Sequence, residues 1–120
     1  MPTSVVLLGD LLVVLGFAMM YRVFRENTFA AATVTVEADQ RVIATGPYAR
    51  VRHPMYAGAL LLFLGTPLAL GSWWGLAVFI PSVAVLVARL RDEEQFLLRN
   101  LDGYGDYCSR VRFRLVPRLW

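Results

Sequence analysis

From Pro54 to Ala88 the chain runs for 35 residues without an Asp, Glu, Lys, Arg or His. Few folds admit such a stretch. As one helix at ~1.5 Å per residue it would be about 52 Å long, against a bilayer core of ~30 Å. Gly71-Ser72-Trp73-Trp74-Gly75 stands at its middle, combining turn-forming residues with aromatics that favour a membrane interface. The run therefore divides into two short helices, about Met55–Leu70 and Leu76–Arg89, joined by a tight hairpin, with Pro67 and Pro81 expected to kink them. Composition agrees: 58% of residues are hydrophobic, 18% are charged, and the mean hydropathy is +0.54. A soluble domain stands nearer half apolar and a quarter charged. These features exclude a soluble globular enzyme, a disordered tail and a nucleic-acid-binding module. Length allows one domain.

A further apolar stretch, about Val5–Met20, precedes the hairpin and is broken only by Asp10. It ends in Tyr21-Arg22 and Arg25, an aromatic and basic anchor, where a cleaved leader would carry its positive charge first. A retained helix is expected, with Asp10 near the outer interface or facing a neighbouring helix. All twelve basic residues are Arg, and every one lies between the first and second helices or after the third. The positive-inside rule then puts the N-terminus outside and both the 26–53 loop and the 90–120 segment in the cytoplasm. The expected fold is an all-α integral membrane protein with three transmembrane helices, one (1–25) plus a helical hairpin (54–89), and a cytoplasmic C-terminal helical segment. Thr33-Val34-Thr35-Val36 alternates like a short strand or extended arm, and Arg110–Leu115 alternates basic and apolar residues, which suits headgroup contact or a lid on the cytoplasmic mouth. A single Cys108 excludes an intrachain disulfide, and neither it nor the lone His53 makes a metal site.

Chemistry gathers at two helix ends. Pro54 suits the first turn of a helix, which places Arg52 and His53 at an N-terminus whose free N–H groups and dipole favour an anion. Gly58, one turn on, permits close approach of a ligand or backbone. Leaving the third helix, Arg89 and Glu93 share one face and Leu90 and Glu94 the next. The bland reading of these charges is a membrane-boundary anchor and a solvated ion pair. Both clusters leave the same side of one hairpin, however, so cations, carboxylates and aromatic rings surround a single membrane-embedded mouth. That suits a zwitterionic aromatic ligand from the cytosol and a lipophilic one from the bilayer.

Gly46-Pro47-Tyr48, then Arg52-His53-Pro54-x-Tyr56-x-Gly58, then Glu93-Glu94, then Tyr104-x-x-Tyr107-x-x-Arg110 resemble the isoprenylcysteine carboxyl methyltransferase and phospholipid methyltransferase superfamily. The likeness extends over residues 36–120. It implies a membrane enzyme using S-adenosylmethionine, bound between the hairpin and the C-terminal segment. By position, it implies cofactor contacts at Gln40, Val42, Ile43, Tyr48, His53, Pro54, Met55 and Tyr56, with Glu93 holding the cofactor's amino group. Arg89 then faces the acceptor as a catalytic residue, with Glu94 supporting it or making a second contact. The implied partner is a lipophilic or lipid acceptor (an acid, thiol or amine), and the implied location is the cytoplasmic face of a bacterial inner membrane, among membrane lipids and without nucleic acid. A homodimer is one way so short a chain would complete such a site. Two other readings stand beside it: a non-catalytic membrane subunit or decayed paralogue, and a NADPH-dependent sterol-reductase-like enzyme, since those reductases share the R-H-P-x-Y element.

Overall fold

Three apolar segments become three antiparallel helices. The structure, a computed structural model, describes residues 1–26 and 44–120. The Thr33–Val36 run and the cofactor positions Gln40, Val42 and Ile43 lie outside the described residues. Helix α1 spans Thr3–Glu26, α2 Pro54–Ala69, α3 Trp73–Asn100 and α4 Tyr104–Arg110, with a 3-10 turn at Gly46–Ala49 before α2. Every regular element among the described residues is helical. Two helices, α1 and α3, are long and apolar enough to cross a membrane, while α2 is apolar but only 16 residues long.

Local chemistry sets the boundaries. Pro54 opens α2, where its missing N–H costs nothing, and Gly71 at φ 65° turns the chain at the far end. The Ser72 hydroxyl then accepts a hydrogen bond from the Gly75 N–H (3.1 Å) and caps α3. The expected end of that helix at Arg89 is corrected: α3 continues eleven residues further, to Asn100. Charge marks where a helix leaves the apolar layer, not where it ends, and Arg, Glu, Gln and Leu are all good helix formers. Gly103 at φ 86° separates α3 from α4. The expected C-terminal helical segment is helical only over α4, and residues 111–120 form bends and turns.

Glycine fixes the packing of α1 against α2. A Cβ on Gly9 would collide with the backbone of Leu68 and Ala69, and one on Gly16 would lie 2.8 Å from Leu62 Cγ and 3.0 Å from Gly58 O. Lower down, a Cβ on Gly58 would meet Met19 at 3.3 Å, and Thr45 Oγ1 donates to Glu26 Oε2 (2.8 Å). The residues flanking the 27–43 segment therefore meet at one end of the bundle. That end also receives the described arginines, because Arg89 is level with Tyr56 and the 111–115 segment bonds to residues 52–53. Asp10 is exposed and stands beside Gly9, near the opposite end, where the hairpin turns.

Gly9→Ala should lower stability by about 1–3 kcal/mol through overpacking against α2. Gly105→Ala, whose Cβ would meet only Leu98 at 3.8 Å, should be neutral or slightly stabilising. Thermal unfolding of the two variants in one detergent checks the contrast.

Candidate functional site

Two electrostatic constellations form around the start of α2, and α3 contributes to both. The first faces the inside of the hairpin. Tyr56, in the first turn of α2 and buried, donates its hydroxyl hydrogen to Glu93 Oε2 (2.5 Å) and accepts one from Arg89 Nε (3.0 Å). Arg89 and Glu93, four residues apart on α3, are thus joined through a phenol and not by a direct ion pair. Arg89, Tyr56 and Met55 line one end of an apolar cavity of about 690 Å³, whose walls come from Met20 and Phe24 of α1 and Leu86 of α3. A smaller cavity of about 390 Å³ shares Phe63, Val78 and Ser82 with it and extends toward Thr66 and Pro67. The two together form an apolar cleft with a guanidinium at one end.

The second constellation is buried. Glu94, 6% exposed, receives a hydrogen bond from Arg114 Nε (2.8 Å) on one oxygen. Its other oxygen stands 3.2 Å from both Arg52 Nη1 and His53 Nε2, close enough for charge but without aligned hydrogen-bond geometry. The backbone reinforces this. The Arg52 and His53 N–H groups donate to Phe113 O (2.8 Å) and Arg114 O (2.9 Å), and Arg114 and Leu115 donate to Trp120 O. The Arg114 guanidinium lies 5.1 Å from the centre of the Trp120 ring, and Trp120 packs on Tyr56, Leu86, Leu90 and Leu115. The end of the chain is thereby folded onto the loop that enters α2.

These contacts revise several expectations. Glu94 does not reach Arg89, because it sits on the α3 face turned toward residues 52–53 and 114. Arg52 and His53 do not present an open anion site, since their N–H groups are taken by carbonyls and their side chains turn to Glu94. Pro54 is fully buried beneath them. Tyr48 lies beside α4, its carbonyl accepting from the Tyr107 hydroxyl (2.7 Å), in a cluster with Leu101, Tyr104 and Val111. Met55, Tyr56, Arg89 and Glu93 are the expected site residues brought together. Sequence reasoning missed Arg114 and Trp120 as partners of the site; the signal was the spacing Leu86-Leu90-Glu94, one residue per turn on a face that proves buried.

This is the geometry against which the chain's relatives can be set. The profile of the phospholipid methyltransferase family matches residues 4–103. The chain belongs to that family. The helices α1 and α3, long and apolar enough to cross a membrane, agree with a membrane protein. The chain is also similar to the Delta(14)-sterol reductase TM7SF2 of Mus musculus, 32% identical over 91 residues. That match takes in 73% of this chain and 22% of the reductase, so the chain spans about a fifth of the relative's length. No solved structure matches.

Two measurements check the assignment of roles. Removing one partner from a buried charge cluster costs about 3–5 kcal/mol, so Glu94→Ala should lower the unfolding midpoint sharply, whereas Glu93→Gln should cost about 1 kcal/mol, one ordinary hydrogen bond. Burial pushes the Tyr104 and Tyr107 phenols above their ordinary value of 10. The unfolded chain then releases those protons first, so stability should be level below pH 10 and fall as pH rises above it. Unfolding midpoints across that range, compared with Tyr107→Phe, read the effect.

Proposed function

We propose that the protein is an S-adenosylmethionine-dependent methyltransferase acting on a lipophilic acceptor at the cytoplasmic face of a membrane. The observation that carries this reading is the Arg89–Tyr56–Glu93 constellation at the end of an apolar cleft. The residues present suit the cofactor. Glu93 is half-buried, has one oxygen taken by Tyr56, and keeps Oε1 without a partner among the described residues, an acceptor for an ammonium. When bound, S-adenosylmethionine supplies an electrophilic methyl group on a sulfonium, a displacement that needs alignment more than acid–base help. Glu93 would hold the amino group, and Met55, Tyr56 and the loop before α2 would border the cofactor. In this reading His53, Pro54 and Tyr48 act by shaping that loop.

The acceptor end follows from the cleft. Arg89 spends only Nε on Tyr56, so both Nη groups remain to engage an anionic head in two-point fashion. The apolar walls take the tail, and Met20 and Phe24 limit water beside the reacting atoms. An isoprenylcysteine-type carboxylate or a related lipid acid fits a guanidinium better than an amine does. The arginine-rich end lies in the cytoplasm by the positive-inside rule, which fits a bacterial inner membrane with the N-terminus outside. The sterol reductase likeness favours a second reading, a NADPH-dependent reduction at the same cleft.

Calorimetric titration of the detergent-purified protein with S-adenosylmethionine, and separately with NADPH, tests both. Binding of the first alone supports the methyltransferase. Binding of NADPH alone replaces it with the reductase, and binding of neither by folded protein favours a non-catalytic subunit. Glu93→Gln should weaken cofactor affinity about tenfold or more, the worth of a charge-assisted hydrogen bond. Arg89→Ala should depress turnover of a lipid acid without weakening cofactor affinity.

A further inference from the structure

We propose that Tyr56 makes the two ligand positions interdependent: it is a positioning residue through which occupancy at Glu93 tightens the grip of Arg89 on an anion, and the reverse. The inference rests on the functional reading above and adds a thermodynamic property to it.

The argument begins with proton inventory. A phenol has one hydrogen to give, and a guanidinium nitrogen only donates. With Arg89 Nε 3.0 Å from the Tyr56 oxygen, that oxygen is the acceptor there, so its single hydrogen is committed to Glu93 Oε2. The order Arg89 → Tyr56 → Glu93 is therefore fixed by chemistry. A chain of hydrogen bonds in one direction is polarised along its length, and each bond strengthens the next.

Tyr56 is itself immobile, 7% exposed and packed with Leu86, Leu90 and Leu115, whereas Arg89 is exposed and long. The phenol is thus the fixed point to which a flexible guanidinium is tied. In the empty site Glu93 and Arg89 partly neutralise each other through it. An ammonium on the free oxygen of Glu93 takes up part of that negative charge, leaving Arg89 with more of its positive charge for an anion. A carboxylate on the Nη groups of Arg89 frees Glu93 for a cation in the same way. The two ligands of a methyl transfer to a lipid acid carry these charges at these places, so the coupling is positive. By linkage, the factor by which one tightens the other is reciprocal.

The experiment measures that factor. S-adenosylmethionine is titrated into wild-type protein and Tyr56→Phe, each with and without decanoate kept below its micelle concentration, and the decanoate titration is repeated with and without S-adenosylmethionine. Wild type should show about fivefold or greater mutual tightening, equal in both directions, as coupled sites do. Tyr56→Phe keeps the ring and its packing but removes the hydroxyl that joins Arg89 to Glu93, so the coupling factor should fall to near one whatever the change in each single affinity. Arg89→Lys should also lose the coupling, since an ammonium has no Nε fork to divide between phenol and ligand. Two results overturn the proposal with the cofactor reading intact: Tyr56→Phe keeping the wild-type factor, or wild type binding both ligands independently. Wild type that binds decanoate but no S-adenosylmethionine overturns the reading beneath it instead, and the two failures are told apart by the first titration.

Discussion

A buried carboxylate holds the arginine-rich end of this protein together. Glu94 is 6% exposed and stands among Arg52, His53 and Arg114, three residues from two separate segments. Around these residues neither segment is helix or strand. Their N–H groups and carbonyls pair with each other, and their cations converge on one anion. Placing that anion on α3 ties the loop entering α2, the last residues of the chain and the second half of the hairpin to one point. The arrangement is strong in one sense only. Burying charge brings little net stability, but removing the anion leaves cations uncompensated, so the geometry is enforced by the cost of losing it. Tyr56 begins three residues after His53, and its position follows.

Along α1 and α2 the constraint is steric. Gly9, Gly16 and Gly58 let α1 and α2 approach until backbone meets backbone. In an apolar surrounding, where burial of hydrocarbon contributes nothing to helix association, such close contact is what favours one pairing over another. The consequence is asymmetric. With α1 drawn against α2, the space between α1 and α3 stays open as the cleft, lined by Met20 and Phe24 on one side and Leu86 on the other. Small residues on one helix face thus create the cavity on the adjacent one.

Much of this was legible in the residues. The uncharged 35-residue run with its Gly-Ser-Trp-Trp-Gly centre yields a hairpin whose first helix begins at Pro54, one residue from the expected Met55, and α1 before it follows from hydropathy. Met55, Tyr56, Arg89 and Glu93 gather at one end of the cleft. What hydropathy could not show is the reach of α3 to Asn100, because a window that detects the apolar layer is blind to helix beyond it. Nor could it show Arg52, His53 and Arg114 turned inward: a run of arginines near a membrane reads as solvated charge until a buried partner is known. The Tyr56 bridge lay further out of sight, since the i,i+4 spacing of Arg89 and Glu93 suggests a direct pair and the interposed phenol comes from another helix.

Adjacency in sequence is the least reliable guide here. Glu93 and Glu94 are neighbours, yet successive residues on an α-helix point about 100° apart, and that rotation separates two jobs. Glu93 follows Arg89 by one turn and shares its hydrogen-bond chain at the mouth of the cleft. Glu94 follows Leu90 by one turn, and Leu90 is fully buried, so Glu94 arrives at the same interior face carrying the charge that fixes the end of the chain. This requires α3 to pass from apolar layer to charged end without a break. A kink between Leu86 and Glu94 would rotate Glu94 toward the cleft or Glu93 into the arginines. The unbroken helix is therefore what allows two adjacent acids, identical in chemistry, to serve as the partner of Tyr56 beside the cleft and as structural tie.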